Sequence, residues 1–150
     1  MLLNPVEWWH LLARFVTSLP GTPPSVVKEI WADDHLTKGE RLLWVQLSNQ
    51  DRRHSIDVAQ RFVKDRPDAT VPEIAGALLH DVGKIECRLG TFGRVAGTLI
   101  GPRGKRFAAY HDHEMIGAEM AADVGSETAT VELIAGYGPA IESLHRSDHA

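Results

Sequence analysis

Residues 77–84 read Ala77-Leu78-Leu79-His80-Asp81-Val82-Gly83-Lys84. An apolar run ends on two adjacent side chains that both ligate metals, and a glycine and a lysine follow. Neighbours inside a helix diverge by about 100°, so His80 and Asp81 can serve one site only where a helix is ending. The stretch therefore reads as a helix whose end offers both side chains inward, with Gly83 letting the chain turn away. Upstream, Thr70-Val71-Pro72-Glu73 is a capping box with proline just inside the helix start. Together these signals bracket a helix running from Val71 to Asp81 and ending near Gly83.

Helical spacing recurs on both sides of this segment, with no alternating β-branched run and no Asn-Gly hairpin. Asn4-Pro5 opens a first helix, with Trp8, Leu11, Leu12, Phe15 and Val16 on one face. Leu19 to Pro24 makes a linker, and Ser25 caps a helix through Trp31. Thr37 and Glu40 form a second capping box. Gly39 to Lys64 is either one long helix or two joined near Ser48-Asn49, and Pro67 stops it. Gly90 to Gly104 holds five glycines and Pro102 and reads as an irregular loop. Further helices run from Phe107 to Val124, stopped by Gly125, then from Thr128 to Gly136 and from Ala140 to Asp148. The fold class is all-α: one domain over 1–150, with a helical N-terminal extension over 1–45 and a core over 46–150.

A chain of 150 residues with 43% hydrophobic residues fits one such domain. A domain of this size buries about two-thirds of its unfolded surface and needs no crosslink. Cys87 is the single cysteine, so no internal disulfide exists. No apolar run reaches the ~20 residues of a membrane span. The start lacks the basic stretch of a signal peptide, and a cytoplasmic location is expected. The net charge of −4 argues against stable nucleic-acid binding. Within it, residues 84–106 carry +5 and residues 107–150 carry −7. The basic segment suits a small anion such as a phosphate, or is an ordinary solvated loop.

Two more residues join His80 and Asp81. His54 precedes Val58 and Phe62 at four-residue spacing, which places it on the buried face of its helix. Asp148 lies in line with Leu144 and Ile141, so its carboxylate points toward the core as well. A buried carboxylate is costly unless it is paired or metal-bound. Nitrogen and oxygen ligands in this mixture suit manganese, iron, cobalt, nickel or zinc. Asp57 is an acceptor for an imidazole N–H, a solvated side chain, or a partner of Arg53 or Arg61. Glu73 is occupied by its capping box. His10, His35, His145 and His149 have no supporting context and read as surface residues.

The order His54, then Leu79-His80-Asp81-Val82-Gly83-Lys84, then His113-Glu114-Met115-Ile116-Gly117-Ala118-Glu119, then Ser147-Asp148 resembles the HD superfamily of metal-dependent phosphohydrolases. The resemblance covers residues 50–148. Asp51-Arg52-Arg53-His54 and Tyr110-His111-Asp112-His113 look like a group of bacterial, chiefly actinobacterial, HD proteins. Their N-terminal helical extension is similar to residues 5–45. The resemblance implies a helical bundle with a metal site at its centre, held by His54, His80, Asp81 and Asp148. In two-metal members the doublet aspartate, here Asp81, bridges to a second ion held by two further histidines. His113 matches the first of these, with His111 as the alternative. The stretch Leu133 to Gly138, where the second belongs, has no histidine. One ion is therefore expected, with two left open, and His113 lines the pocket or donates a proton.

The resemblance further implies a hydrolase acting on a nucleotide or related phosphate ester through a metal-activated water. Asp81, Lys84 and His113 are the catalytic candidates, and Arg53, Lys84, Arg103 and Arg106 the phosphate-binding ones. For Lys84, a cation stabilising a helix C-terminus is the competing role. The alternative function is a catalytically inactive HD domain that binds a metal or nucleotide for regulation. Trp8, Trp9 and the apolar residues around them suit packing on the domain or on a second subunit, as in a homodimer, better than a membrane surface.

Overall fold

The structure, a computed structural model, describes residues 21–85 and 113–150. Seven helices run through these residues: α1 (Val26–Asp33), α2 (Lys38–Trp44), α3 (Asn49–Asp65), α4 (Val71–Leu78), α5 (His113–Asp123), α6 (Thr128–Ala135) and α7 (Ile141–Asp148). No strand occurs among the described residues, and the architecture is all-α. None of these helices is long and apolar enough to cross a membrane. The N-terminal helix expected before Pro20, the glycine-rich loop and the start of the Phe107 helix lie outside the described residues.

Local chemistry sets the helix starts. The Ser25 side chain accepts from the Lys28 backbone N–H. The Thr37–Glu40 and Thr70–Glu73 pairs each form a complete reciprocal capping box. Ser48 accepts from the Asp51 N–H and so opens α3. The segment from Gly39 to Lys64 is thus two helices: i+3 bonds from Gln46 to Leu43 and from Leu47 to Trp44 tighten the end of α2 just before Ser48. Each cap is worth about 1 kcal/mol. Gly125 and Gly136, with φ of 86° and 93°, end α5 and α6. At each glycine an i+5 and an i+3 backbone bond close the helix end, Ser126 to Ala121 with Gly125 to Ala122, and Tyr137 to Glu132 with Gly136 to Leu133.

α4 is shorter than expected. It ends at Leu78 rather than Asp81, and Leu79 leaves helical geometry with φ −100° and ψ 7°. Bonds from Val82 to Leu79 and from Lys84 to Asp81 then wind the chain into successive tight turns. His80 and Asp81 sit in these turns, free of the 100° divergence that a helix imposes. Gly83 has another task than a left-handed turn, since its φ is not positive. A Cβ there would stand 1.9 Å from the His113 carbonyl oxygen and 3.0 Å from the Gly117 nitrogen. Likewise, a Cβ on Gly117 would stand 3.0 Å from the Gly83 nitrogen. The turn after His80-Asp81 therefore presses backbone to backbone on α5.

α6 packs against α4 and α5, α3 against α4 and α7, and α2 touches α5. Ile56, Val58 and Phe62 of α3 meet Leu78, Leu79, Val82 and Ile134 in a fully buried core. Burying each of these side chains contributes roughly 1.5–3 kcal/mol. α1 gives Ala32 to this core, with Trp31 partly buried against it. Its Lys28 Nζ binds Asp57 at 2.6 Å and its Glu29 receives the Trp44 indole N–H at 3.1 Å, while Val26, Val27 and Ile30 are exposed.

Candidate metal centre

Three elements bring four side chains of metal-ligating types to one place. His54 comes from the second turn of α3, His80 and Asp81 from the turns after α4, and Asp148 from the end of α7. His54 Nε2 is 3.1 Å from Asp148 Oδ1 and 4.0 Å from Asp81 Oδ2. His80 Nε2 is 3.4 Å from both Asp81 Oδ2 and Asp148 Oδ1. The ligand atoms of His54, His80 and Asp81 all lie within 4.8 Å of one another, a group that could hold a metal ion. Asp148 stands outside this tightest trio but touches both imidazoles.

His80 shows the arrangement most clearly. Its side chain is only 10% exposed, and its Nδ1 lies 2.7 Å from the Ala77 carbonyl oxygen. A carbonyl only accepts, so Nδ1 carries the proton. Nε2 therefore aims an electron pair at two carboxylates, and it is buried without a hydrogen bond of acceptable geometry. A lone pair facing two anions is repulsive unless a cation stands between them. A proton does this in part. Burial disfavours the charged ring, but Asp148, the charge of Asp81 and the Ala77 carbonyl outweigh it, and the His80 pKa is raised above the ordinary imidazole value. The same contacts, with His80 first and His54 after it, hold the Asp148 carboxyl far below the usual carboxylate range. A divalent ion satisfies the donor set equally well: two imidazoles, two carboxylates, and one ring oriented by a backbone carbonyl.

α7 is held in place from α3. Arg61 Nε donates to the Ser147 carbonyl at 2.8 Å, next to Asp148. At the far end of α3, Asp65 accepts from the Ser143 hydroxyl and from Arg146. These bonds fix the height of Asp148 against His54.

A cavity of about 70 Å³ opens beside the cluster, lined by His80, Asp81 and Asp148 with His113, Glu114 and His145. On the same measure one water takes roughly 10–15 Å³, so the space holds several waters or a phosphoryl group, not a whole nucleotide. Lys84 Nζ lies 3.0 Å from Asp81 Oδ2, at the edge of the cluster. Arg53 is half-buried in α3, one residue before His54. His113 lines the cavity from the start of α5. Arg103, Arg106 and His111 lie outside the described residues.

Several side chains differ from expectation. His54 is 44% exposed rather than buried, because the apolar face of α3 closes over only from Ser55 and Ile56 onward and leaves the His54 ring at its rim. Asp57 pairs with Lys28, not with Arg53 or Arg61. His35 is half-buried, with Nδ1 2.6 Å from the Trp31 carbonyl oxygen. His145 is exposed, as expected, yet it also borders the cavity. Its signal was its place three residues before Asp148, on the same face of α7. Glu114 carried no such signal beyond adjacency to His113. No family model, curated protein or solved structure matches the chain.

Proposed function

We propose that the chain is an HD-type metal-dependent phosphohydrolase acting on a nucleotide or a related phosphate ester. The observation that carries this reading is the buried His80 Nε2, unbonded and facing Asp81 and Asp148. His54, His80, Asp81 and Asp148 hold the ion. A bound divalent ion there supplies Lewis acidity and lowers the pKa of water. The chain's own groups do the rest. Ala77 fixes the His80 tautomer, and the Arg61–Ser147 bond seats Asp148. Lys84, set against Asp81 just outside the cavity lining, is the candidate cation for the phosphoryl oxygens. The cavity admits the phosphoryl group, and the rest of the ester stays outside it.

A second reading is a regulatory domain that binds a metal or nucleotide without turnover. It is favoured by the end of α6, where Gly136 lines the cavity and no side chain ligates. Metal titration of the purified chain, followed by hydrolysis assays on nucleoside monophosphates and simpler phosphate monoesters, tests both. Metal-dependent release of phosphate that disappears in Asp81→Ala is the expected result. Tight metal binding without turnover selects the regulatory reading, and absence of any divalent-ion binding overturns the hydrolase reading and leaves the regulatory one only a nucleotide to bind.

A further inference from the structure

Ile141, Leu144, His145 and Asp148, at i, i+3, i+4 and i+7 of α7, all line the cavity. One helix face thus carries a ligand of the metal cluster and, one turn earlier, an imidazole. The cavity is asymmetric along this face. Of its lining, His80 and Asp81 are buried, whereas His145 is exposed. An ester whose phosphorus enters toward His80 leaves its alcohol oxygen pointing outward, past His145.

We propose that His145 protonates the leaving group, an inference that rests on the phosphohydrolase reading. Water adds to phosphorus, and the bond from phosphorus to the ester oxygen breaks with its electron pair on that oxygen. The imidazolium N–H of His145 gives its proton to the oxygen, which departs as a neutral alcohol. The water's protons stay with the phosphate product and the solvent, and the exposed ring regains a proton from bulk water. Two other imidazoles line the cavity: His80 has one nitrogen committed to Ala77 and the other to the carboxylates, and His113, at the start of α5, is half-buried and off the α7 face that carries Asp148. Carriage on the same helix face keeps His145 at a fixed distance from Asp148, since side chains three apart are neighbours.

The test compares wild type with His145→Gln, both as the full zinc-loaded chain, on ethyl phosphate and on 4-nitrophenyl phosphate. A general acid is worth about 100-fold or more, so kcat on ethyl phosphate falls by about that factor. The 4-nitrophenolate leaves without a proton, and its kcat falls by no more than about 3-fold. Zinc stoichiometry stays the same. A readout independent of turnover is the NMR signal of the His145 ring, which shifts when inorganic phosphate is added to the zinc-loaded wild type. Equal losses on the two esters, or a His145 signal unmoved by phosphate, overturn the role of His145 alone. A wild type that hydrolyses neither these esters nor nucleoside monophosphates overturns the hydrolase reading and this role with it.

Discussion

His54 Nε2 lies 3.1 Å from Asp148 Oδ1 across 94 residues of sequence. The contact exists only when α7 is seated on α3, so the cluster is a product of tertiary packing. Asp148→Asn keeps the shape and removes the charge. Loss of even a group that merely supports a ligand costs about 10–100-fold in metal affinity, so loss of this carboxylate costs at least about 100-fold. Calorimetric titration with zinc or manganese measures it. Affinity equal to wild type removes Asp148 from the ligand set.

Metal binding stabilises the fold by mass action. At a free metal concentration 100 times Kd the gain is about 2.7 kcal/mol, and a chelator reverses it. In His80→Ala the gain disappears. Thermal melts with and without metal check this, and a metal-induced shift that survives in His80→Ala would place the ion elsewhere.

Proton and metal compete for His80 Nε2. The ring pKa is raised, and ligation needs the neutral ring. Metal affinity therefore declines as pH falls through the raised value, beginning above the ordinary imidazole value of 6.5. The metal-free protein behaves oppositely: the His80 ion pairs stabilise it fully below the ordinary pKa and are lost as pH rises through the raised one. Titrations in buffers of different ionisation enthalpy will register proton release on binding. An affinity that is flat between pH of about 5 and 8 contradicts the competition.

Asp65 joins α3 to α7 through Arg146 and Ser143, and these bonds hold its carboxyl below the usual 3.8. Its contribution is present above that value and is lost as pH falls through the lowered one. Asp65→Asn is accordingly less stable than wild type near neutral pH, and the difference closes in acid. Urea denaturation at the two pH values reads the difference, and a gap that persists in acid rules out the charge as its source.

Gly83→Ala puts a methyl group 1.9 Å from a backbone oxygen, which a side-chain movement cannot relieve. Overpacking costs about 1–3 kcal/mol, and this position lies at or beyond the upper end. Gly117→Ala, with contacts of 3.0–3.3 Å, costs less. Gly21, with nothing within 4 Å, is the neutral control within about 0.5 kcal/mol. Chemical denaturation ranks the three, and a neutral Gly83→Ala contradicts the close approach of the two backbones.

The features legible in the sequence were local. Thr37 with Glu40 and Thr70 with Glu73 form bonds that close within four residues, so spacing alone predicts them. The Ser48 break was readable only as one of two choices, because a serine caps a helix or sits inside one depending on the turn before it. α4 ends at Leu78, three residues before the end its sequence predicts, for a related reason: the tight turns at His80 and Asp81 are held by packing on α5, which no local signal records. The exposure of His54 and the cavity position of His145 depend on how α3, α4 and α7 meet.

The approach of Gly83 to Gly117 separates two kinds of constraint in this chain. The histidines and aspartates answer to ligand chemistry, and a chain that held no metal would be free to replace them. The two glycines answer to the distance between backbones, and that distance persists whether or not an ion is ever bound. The demand that both positions stay free of a side chain is therefore independent of what the cluster holds.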